Sequence, residues 1–309
     1  MSTFQCNPAL HRRDGQTCLP SAALERMRVA WNKTHPRNKI SVRQTRKNRK
    51  QDAGTAISGT TDTQLWNQLR NSMKNHYKCE TEFCAVKKLS GLSEDEKKDM
   101  SKFFRPEKPK KWDKKPTDWL DSYNIEDVMK QYEDANPSFD FIGPVPIDFD
   151  DKDKNNWGKC IVNELCKLDL NESAKKGKTK IGIIFNLDPH DEPGSHWVCA
   201  FIDLEKGNAY YFDSYGYEPP DEITKLLKRC KDQGCKNIYY NDIRHQRKTS
   251  ECGMYCLFMI ICLLNGKDFA TLCKNVIDDD TINSFRDVIF AEEKPRHGAL
   301  EKALKTLCI

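Results

Sequence analysis

The sequence predicts an α+β fold: a small mixed sheet packed on a buried central helix, preceded by a basic, mainly helical arm. Three observations carry this. Strand-length apolar runs alternate with helical segments after residue 117. CGMYCLFMIICLLNG (252–266) is apolar on every side, as a helix must be to lie inside a core. The net charge of +5 over 309 residues hides a split: residues 1–116 hold 26 Lys+Arg and 12 Asp+Glu, net +14, whereas residues 117–309 hold 25 and 34, net −9.

The elements follow in order. Pro20 and Ser21 open a helix with Leu24, Met27 and Trp31 on one face. Residues 37–50 carry seven basic side chains and no acidic one, and GTAISGT follows, so 36–60 is expected to be a mobile loop. Leu65, Trp66, Leu69 and Met73 recur at helical spacing near 62–75. A Lys/Pro-rich linker, 106–116, should separate an arm domain (1–105) from a second domain (117–309). There Asn124 can cap a helix bearing Ile125, Val128, Met129 and Tyr132. FDFIGPVPIDF (139–149) is too rich in proline for a helix and should be extended. Strands are expected at 181–187, 196–203, 209–213 and 237–243, with a helix at 221–231 turning Ile223, Leu226 and Leu227 inward. Gly266 closes the apolar helix.

Composition removes several classes. No run of about 18 apolar residues exists, so no membrane partner is expected. An aromatic content of 10% is too high for a wholly disordered chain. MSTFQCNPALHRRDG has no continuous apolar stretch, so no secretory signal is expected. The 14 cysteines are therefore expected as reduced thiols, ligands or a catalytic thiol, not as a disulfide scaffold.

The sharpest chemistry lies in HQRKTSECGMYCLFMIICLL. If Thr249 or Ser250 caps the apolar helix, Cys252 falls in its first turn, where backbone N–H groups and the helix dipole favour a thiolate. Gly253 should leave space for a substrate backbone, and its N–H with that of Cys252 could bind an oxyanion. A thiolate needs a base, and the base an orienter. His196 begins one strand and Asp213 ends the next; an antiparallel pair joined by EKGN brings both to one sheet end. Gln246, in a polar loop, could donate to the oxyanion. Each residue also has a bland reading: a strand-leading His, a turn-forming Asp, a solvated Gln, a core Cys. Their order, His–(16)–Asp–(32)–Gln–(5)–Cys-Gly counted in intervening residues, is what makes them specific.

That ordered set resembles the adenain-like and ubiquitin-like-protein (SUMO-type) cysteine proteases, whose pattern is H-W on a strand, an acid or amide at the next strand end, and Q-x5-C-G at a helix start. NDIRHQRKTSECGMYCLFMI is similar to the viral branch of that family, the polyprotein-processing proteases of African swine fever virus and other large nucleocytoplasmic DNA viruses. The resemblance implies a papain-related catalytic domain at 117–309 and a thiol endopeptidase without a cofactor or metal. It assigns His196 as general base, Asp213 as orienter, Gln246 as oxyanion donor and Cys252 as nucleophile, with Trp197 and Gly253 against the substrate. It also implies cleavage after small, Gly-rich sites in viral structural or core polyproteins, in host cytoplasm at the assembly site and in the virion. Removal of a SUMO-like modifier, or acyl transfer from the same His–acid–Cys site, are the alternatives.

The remaining candidates are secondary. Cys256 and Cys199 are expected in the core. His190 is a rival base on a poorly supported loop, and His245 should face solvent or substrate. Cys6, Cys18, Cys79 and Cys84 are expected as buried or loosely paired thiols, with zinc as the alternative, and Cys230 with Cys235 as a lesser pair. The basic unit, 1–116, is a candidate for non-specific DNA contact.

Overall fold

The computed structural model describes residues 5–10, 17–41, 59–153 and 157–294. Of the loop expected at 36–60, residues 42–58 lie outside the described residues. The chain divides into two compact units. One runs to Lys108 and regains the chain from Asp287; the other holds Pro109–Arg286. The division falls within the segment expected as a linker, 106–116, which contains a 3-10 turn, Lys110–Asp113, whose Trp112 is fully buried.

The first unit packs α1 (Ser21–Thr34), α2 (Gly59–Tyr77), α3 (Glu82–Lys88) and α4 (Glu94–Ser101). Leu24, Met27, Trp31, Leu65, Trp66, Leu69 and Met73 meet in its core, so the two amphipathic faces read from spacing are the faces buried. Two disulfides lie here, Cys6–Cys18 and Cys79–Cys84. A third, Cys160–Cys166, lies in the second unit. For these six cysteines this corrects the expectation of reduced thiols; the other seven among the described residues are free. The partners are 5 to 12 positions apart, with Cα atoms 5.2 to 6.3 Å from one another, within disulfide reach. The Cys6 and Cys18 sulfurs and a Glu82 carboxylate oxygen lie within 4.8 Å of one another, but the two sulfurs are bonded to each other.

The second unit is built on five strands in sequence order: β1 (Phe139–Pro146), β2 (Lys180–Asn186), β3 (Trp197–Asp203), β4 (Asn208–Phe212) and β5 (Asn237–Tyr240). The outer pairs are parallel and the inner two antiparallel. The helices of this unit are α5 (Ser122–Ala135), α6 (Asn163–Cys166), α7 (Leu170–Lys175), α8 (Asp221–Asp232), α9 (Cys252–Leu264), α10 (Phe269–Lys274) and α11 (Asp279–Ser284).

Alternation along β2 sorts the layers. Ile181, Ile183 and Phe185 join Ile223, Leu226 and Leu227 of α8 in one core. Gly182 points the other way, where a Cβ would meet Ile260 of α9 at 3.2 Å. All 13 residues of α9 are buried, as its unbroken apolar sequence requires. The cap of α5 is Asp121, not Asn124. Asn124 is the third helical residue and completes a reciprocal box, its N–H donating to Asp121 at 2.9 Å. No helix among the described residues is long and apolar enough to cross a membrane.

Candidate active site

His196 directly precedes β3 and Asp213 directly follows β4. The antiparallel register, Cys199 opposite Phe212, sets them at the same end of the sheet. His196 Nε2 and Asp213 Oδ1 are 2.7 Å apart. A carboxylate accepts, so Nε2 carries the proton of this bond, and Nδ1 is the nitrogen left to exchange a proton with Cys252, whose side chain acts on the imidazole. Burial disfavours the imidazolium, but the hydrogen bond to Asp213 and the attraction of the neighbouring Cys252 and Asp213 outweigh it. The His196 pKa is pushed up to about 9.

Asp213 is buried and held in place. Its Oδ1 also accepts from Tyr215 N at 2.8 Å. Asn241 clamps the backbone of the turn: its Oδ1 accepts from Asp213 N, and its Nδ2 donates to Asp213 O and Ile243 O, each at 2.9 Å. The Tyr215 ring stacks on the imidazole, with centroids 4.8 Å apart and planes 25° from parallel.

Cys252 is the first residue of α9 and is buried. The residue before it, Glu251, occupies the cap position without capping, and neither Thr249 nor Ser250 takes that role. The reason is local. Ser250 gives its hydroxyl and N–H to the Glu251 carboxylate, both at 2.9 Å, and the same carboxylate accepts from Asn283 of α11 at 2.8 Å. The start of α9 is therefore held by a buried acid, while no side chain from the cap position engages its first-turn N–H groups.

Gln246 is fully buried rather than solvated. The Ser214 hydroxyl donates to its Oε1 at 2.7 Å, and its Nε2 donates to Lys248 O at 3.0 Å. This fixes which way the amide faces and leaves Nε2 a second hydrogen. The loop itself is tied down by Asp279, whose Oδ2 accepts from Arg247 N at 3.0 Å and Lys248 N at 2.9 Å. Tyr255 of α9 donates to the other Asp279 oxygen at 3.2 Å.

Trp197 and Gly253 are packed together rather than left open. Trp197 is 6% exposed, and its indole N–H donates to Leu120 O at 3.0 Å. A Cβ on Gly253 would lie 3.2 Å from Leu120 Cβ and 3.3 Å from Trp197 Cδ1. The absent side chain makes room for Leu120 and the indole. His245 is likewise corrected from solvent-facing to buried. Its Nε2 donates to Cys273 O at 3.0 Å, and burial holds its pKa below the usual value. His190 is paired with Asp148 at 2.6 Å. Cys256 lies in the core with Cys199 as its partner, and burial pushes its thiol well up. Burial likewise pushes the Cys230 thiol up to about 12.

Ser214, Tyr215, Asn241, Glu251 and Asp279 were not nominated from sequence. The first two follow Asp213 directly in DSYG, the one local signal that marks them. Asn241 and Asp279 act through contacts that only the fold creates, and Glu251 joins its neighbour Ser250 to Asn283 of α11.

A thiol at the mouth of a buried helix, beside an imidazole oriented by a buried carboxylate, is the arrangement of a cysteine hydrolase. The chain belongs to the Ulp1 protease family: residues 119–295 match the model of its C-terminal catalytic domain. A protein of Acanthamoeba polyphaga mimivirus named as a thiol protease is 35% identical over 196 residues, 62% of this chain and 61% of that protein. This chain thus matches less than two thirds of that relative's length. A cysteine protease of African swine fever virus is 24% identical over 227 residues, 69% of this chain and 83% of that one. The crystal structure of the African swine fever virus protease superposes with a TM-score of 0.59 over 94% of this chain and 97% of that one, at 20% identity. That likeness is one of fold.

Proposed function

We propose that the chain is a thiol endopeptidase that matures the structural or core polyproteins of a large DNA virus, cutting after small, Gly-rich sequences. The observation that carries the chemistry is the bond between His196 and Asp213, on an imidazole whose charge the neighbouring Cys252 also favours. Cys252, as thiolate, attacks the scissile carbonyl. The His196 imidazolium protonates the leaving amine, then activates the water that releases the thioester. Asp213 keeps the imidazole oriented and stabilises its cation. The Cys252 N–H and the second Gln246 Nε2 hydrogen stabilise the tetrahedral oxyanion, at about 3 kcal/mol per donor. Support for a viral setting comes from two relatives named as a thiol protease and a cysteine protease, from mimivirus and African swine fever virus.

The test is covalent trapping. A Gly-Gly vinyl sulfone peptide should add one equivalent at Cys252, and a peptide ending in a bulky residue should not. Labelling elsewhere, or none, sinks the reading. Run in parallel, a SUMO fusion cleaved faster than a viral polyprotein peptide would move the substrate to the modifier class. The net +14 of residues 1–116 supports non-specific contact with DNA, checked by a mobility shift of the full chain that weakens as salt rises.

A further inference from the structure

Tyr215 touches both halves of the proposed machinery. Its ring lies against the His196 imidazole, its N–H donates to Asp213 Oδ1 at 2.8 Å, and its hydroxyl donates to Lys248 O at 3.1 Å. The same carbonyl accepts from Gln246 Nε2 at 3.0 Å. Arg244 adds a third link: its guanidinium carbon sits 5.1 Å from the Tyr215 ring centroid, and its Nε donates to Gln246 O at 2.8 Å.

We propose that Tyr215 is a positioning residue for catalysis, its ring holding the base flat against Cys252 and its hydroxyl coupling that base to the loop of the oxyanion donor. The proposal rests on the reading of His196 as the base.

The physical need is specific. A hydrogen bond to Asp213 fixes one edge of the imidazole but leaves the ring free to swing about that bond. A flat surface at stacking distance removes that freedom. It also keeps water off one face of the His196–Asp213 bond, which strengthens it. The groups that face the imidazole are Asp213 from the end of β4, Cys252 from α9 and Tyr215 from the turn between them. Arg244 and Glu251 act on the tyrosine itself. An aromatic ring with electron density on its faces favours a cation stacked there, so the ring adds to the pull of Asp213 and Cys252 on the protonated form. Loss of the hydroxyl would leave Lys248 O with Gln246 alone and would release the ring edge from the loop.

Tyr215→Leu removes ring and hydroxyl; Tyr215→Phe keeps the ring and guards against a variant that merely fails to fold. Two readouts separate this idea from the proposed function. The His196 titration midpoint, followed by NMR, needs no substrate; kcat and KM on a cleavable peptide need one. Tyr215→Leu should lower the midpoint and lower kcat about tenfold to a hundredfold at unchanged KM. Tyr215→Phe should keep the midpoint and lose kcat only several-fold. A wild-type midpoint and kcat in Tyr215→Leu would overturn the proposal, and so would a change in KM alone, which marks a substrate contact. If His196→Ala cleaves normally while the midpoint still shifts in Tyr215→Leu, the reading of His196 as base fails, and the positioning role falls with it.

Discussion

The Ser214 hydroxyl donates to the side-chain oxygen of Gln246 at 2.7 Å, and neither residue is open to solvent. Ser214 thus links the turn after Asp213 to the loop before Cys252, and its own carbonyl accepts the N–H groups of His245 and Gln246. In Ser214→Ala the buried Gln246 oxygen loses its donor, at a cost of about 1–3 kcal/mol in stability. The amide then keeps only its Nε2 bond to Lys248 O, so its orientation loosens and kcat should fall more than KM rises. Urea unfolding and steady-state kinetics on one preparation check both. A stable variant with wild-type kcat would remove Gln246 orientation from the mechanism.

The raised His196 pKa makes stability depend on pH. A group that binds its proton more tightly when folded stabilises the fold fully below its unfolded value, near 6.5, and loses that contribution as pH rises through about 9. Unfolding free energy should therefore decline between pH 6.5 and 9. Asp213→Asn removes the carboxylate charge, so its decline should be shallower and should end at lower pH. Denaturant curves at several pH values would show it, and parallel slopes in the two proteins would contradict it.

Glu251 accepts three hydrogen bonds from Ser250 and Asn283 directly before the nucleophile. Glu251→Ala strands those donors in a buried site, so it should cost about 2–5 kcal/mol. Glu251→Gln retains an accepting oxygen and should lose less. Chemical unfolding of both variants gives the comparison, and equal losses would mean the charge rather than the acceptor geometry matters.

What could be read from the chain and what could not follow from distance along it. His196 and Asp213 were legible because one hairpin of alternating strands joins them, and period-two alternation is a local property. The burial of α9 was legible because no polar residue interrupts it. The cap of α9 was misread because Ser250 has a stronger acceptor next door in Glu251 than the helix N–H groups offer. Asn241 reaches Asp213 from 28 positions away, and no spacing rule announces that. The cysteine partners lie 5 to 12 positions apart, a spacing that is visible in the chain but does not by itself bring two Cα atoms within disulfide reach.

Gly253 and Trp197 illustrate the same limit and give the last prediction. A glycine after a nucleophile looks like room for substrate, but the partner that fills the space, Leu120, is 77 positions upstream of Trp197 and invisible to any local pattern. Gly253→Ala would press a methyl group against Leu120 at 3.2 Å and the indole at 3.3 Å, so both must yield by a few tenths of an ångström. Overpacking of this kind costs about 1–3 kcal/mol. The indole cannot move freely, because its N–H is bonded to Leu120 O, and its backbone is joined to His196. The strain should pass to the imidazole: kcat falls, and Cys252 alkylation by iodoacetamide at neutral pH slows in the same proportion. If Gly253 instead admits substrate, KM should rise and alkylation by so small a reagent should stay at the wild-type rate. Adding Leu120→Ala to Gly253→Ala separates the two further, since relieving the clash should restore alkylation only where packing is the cause.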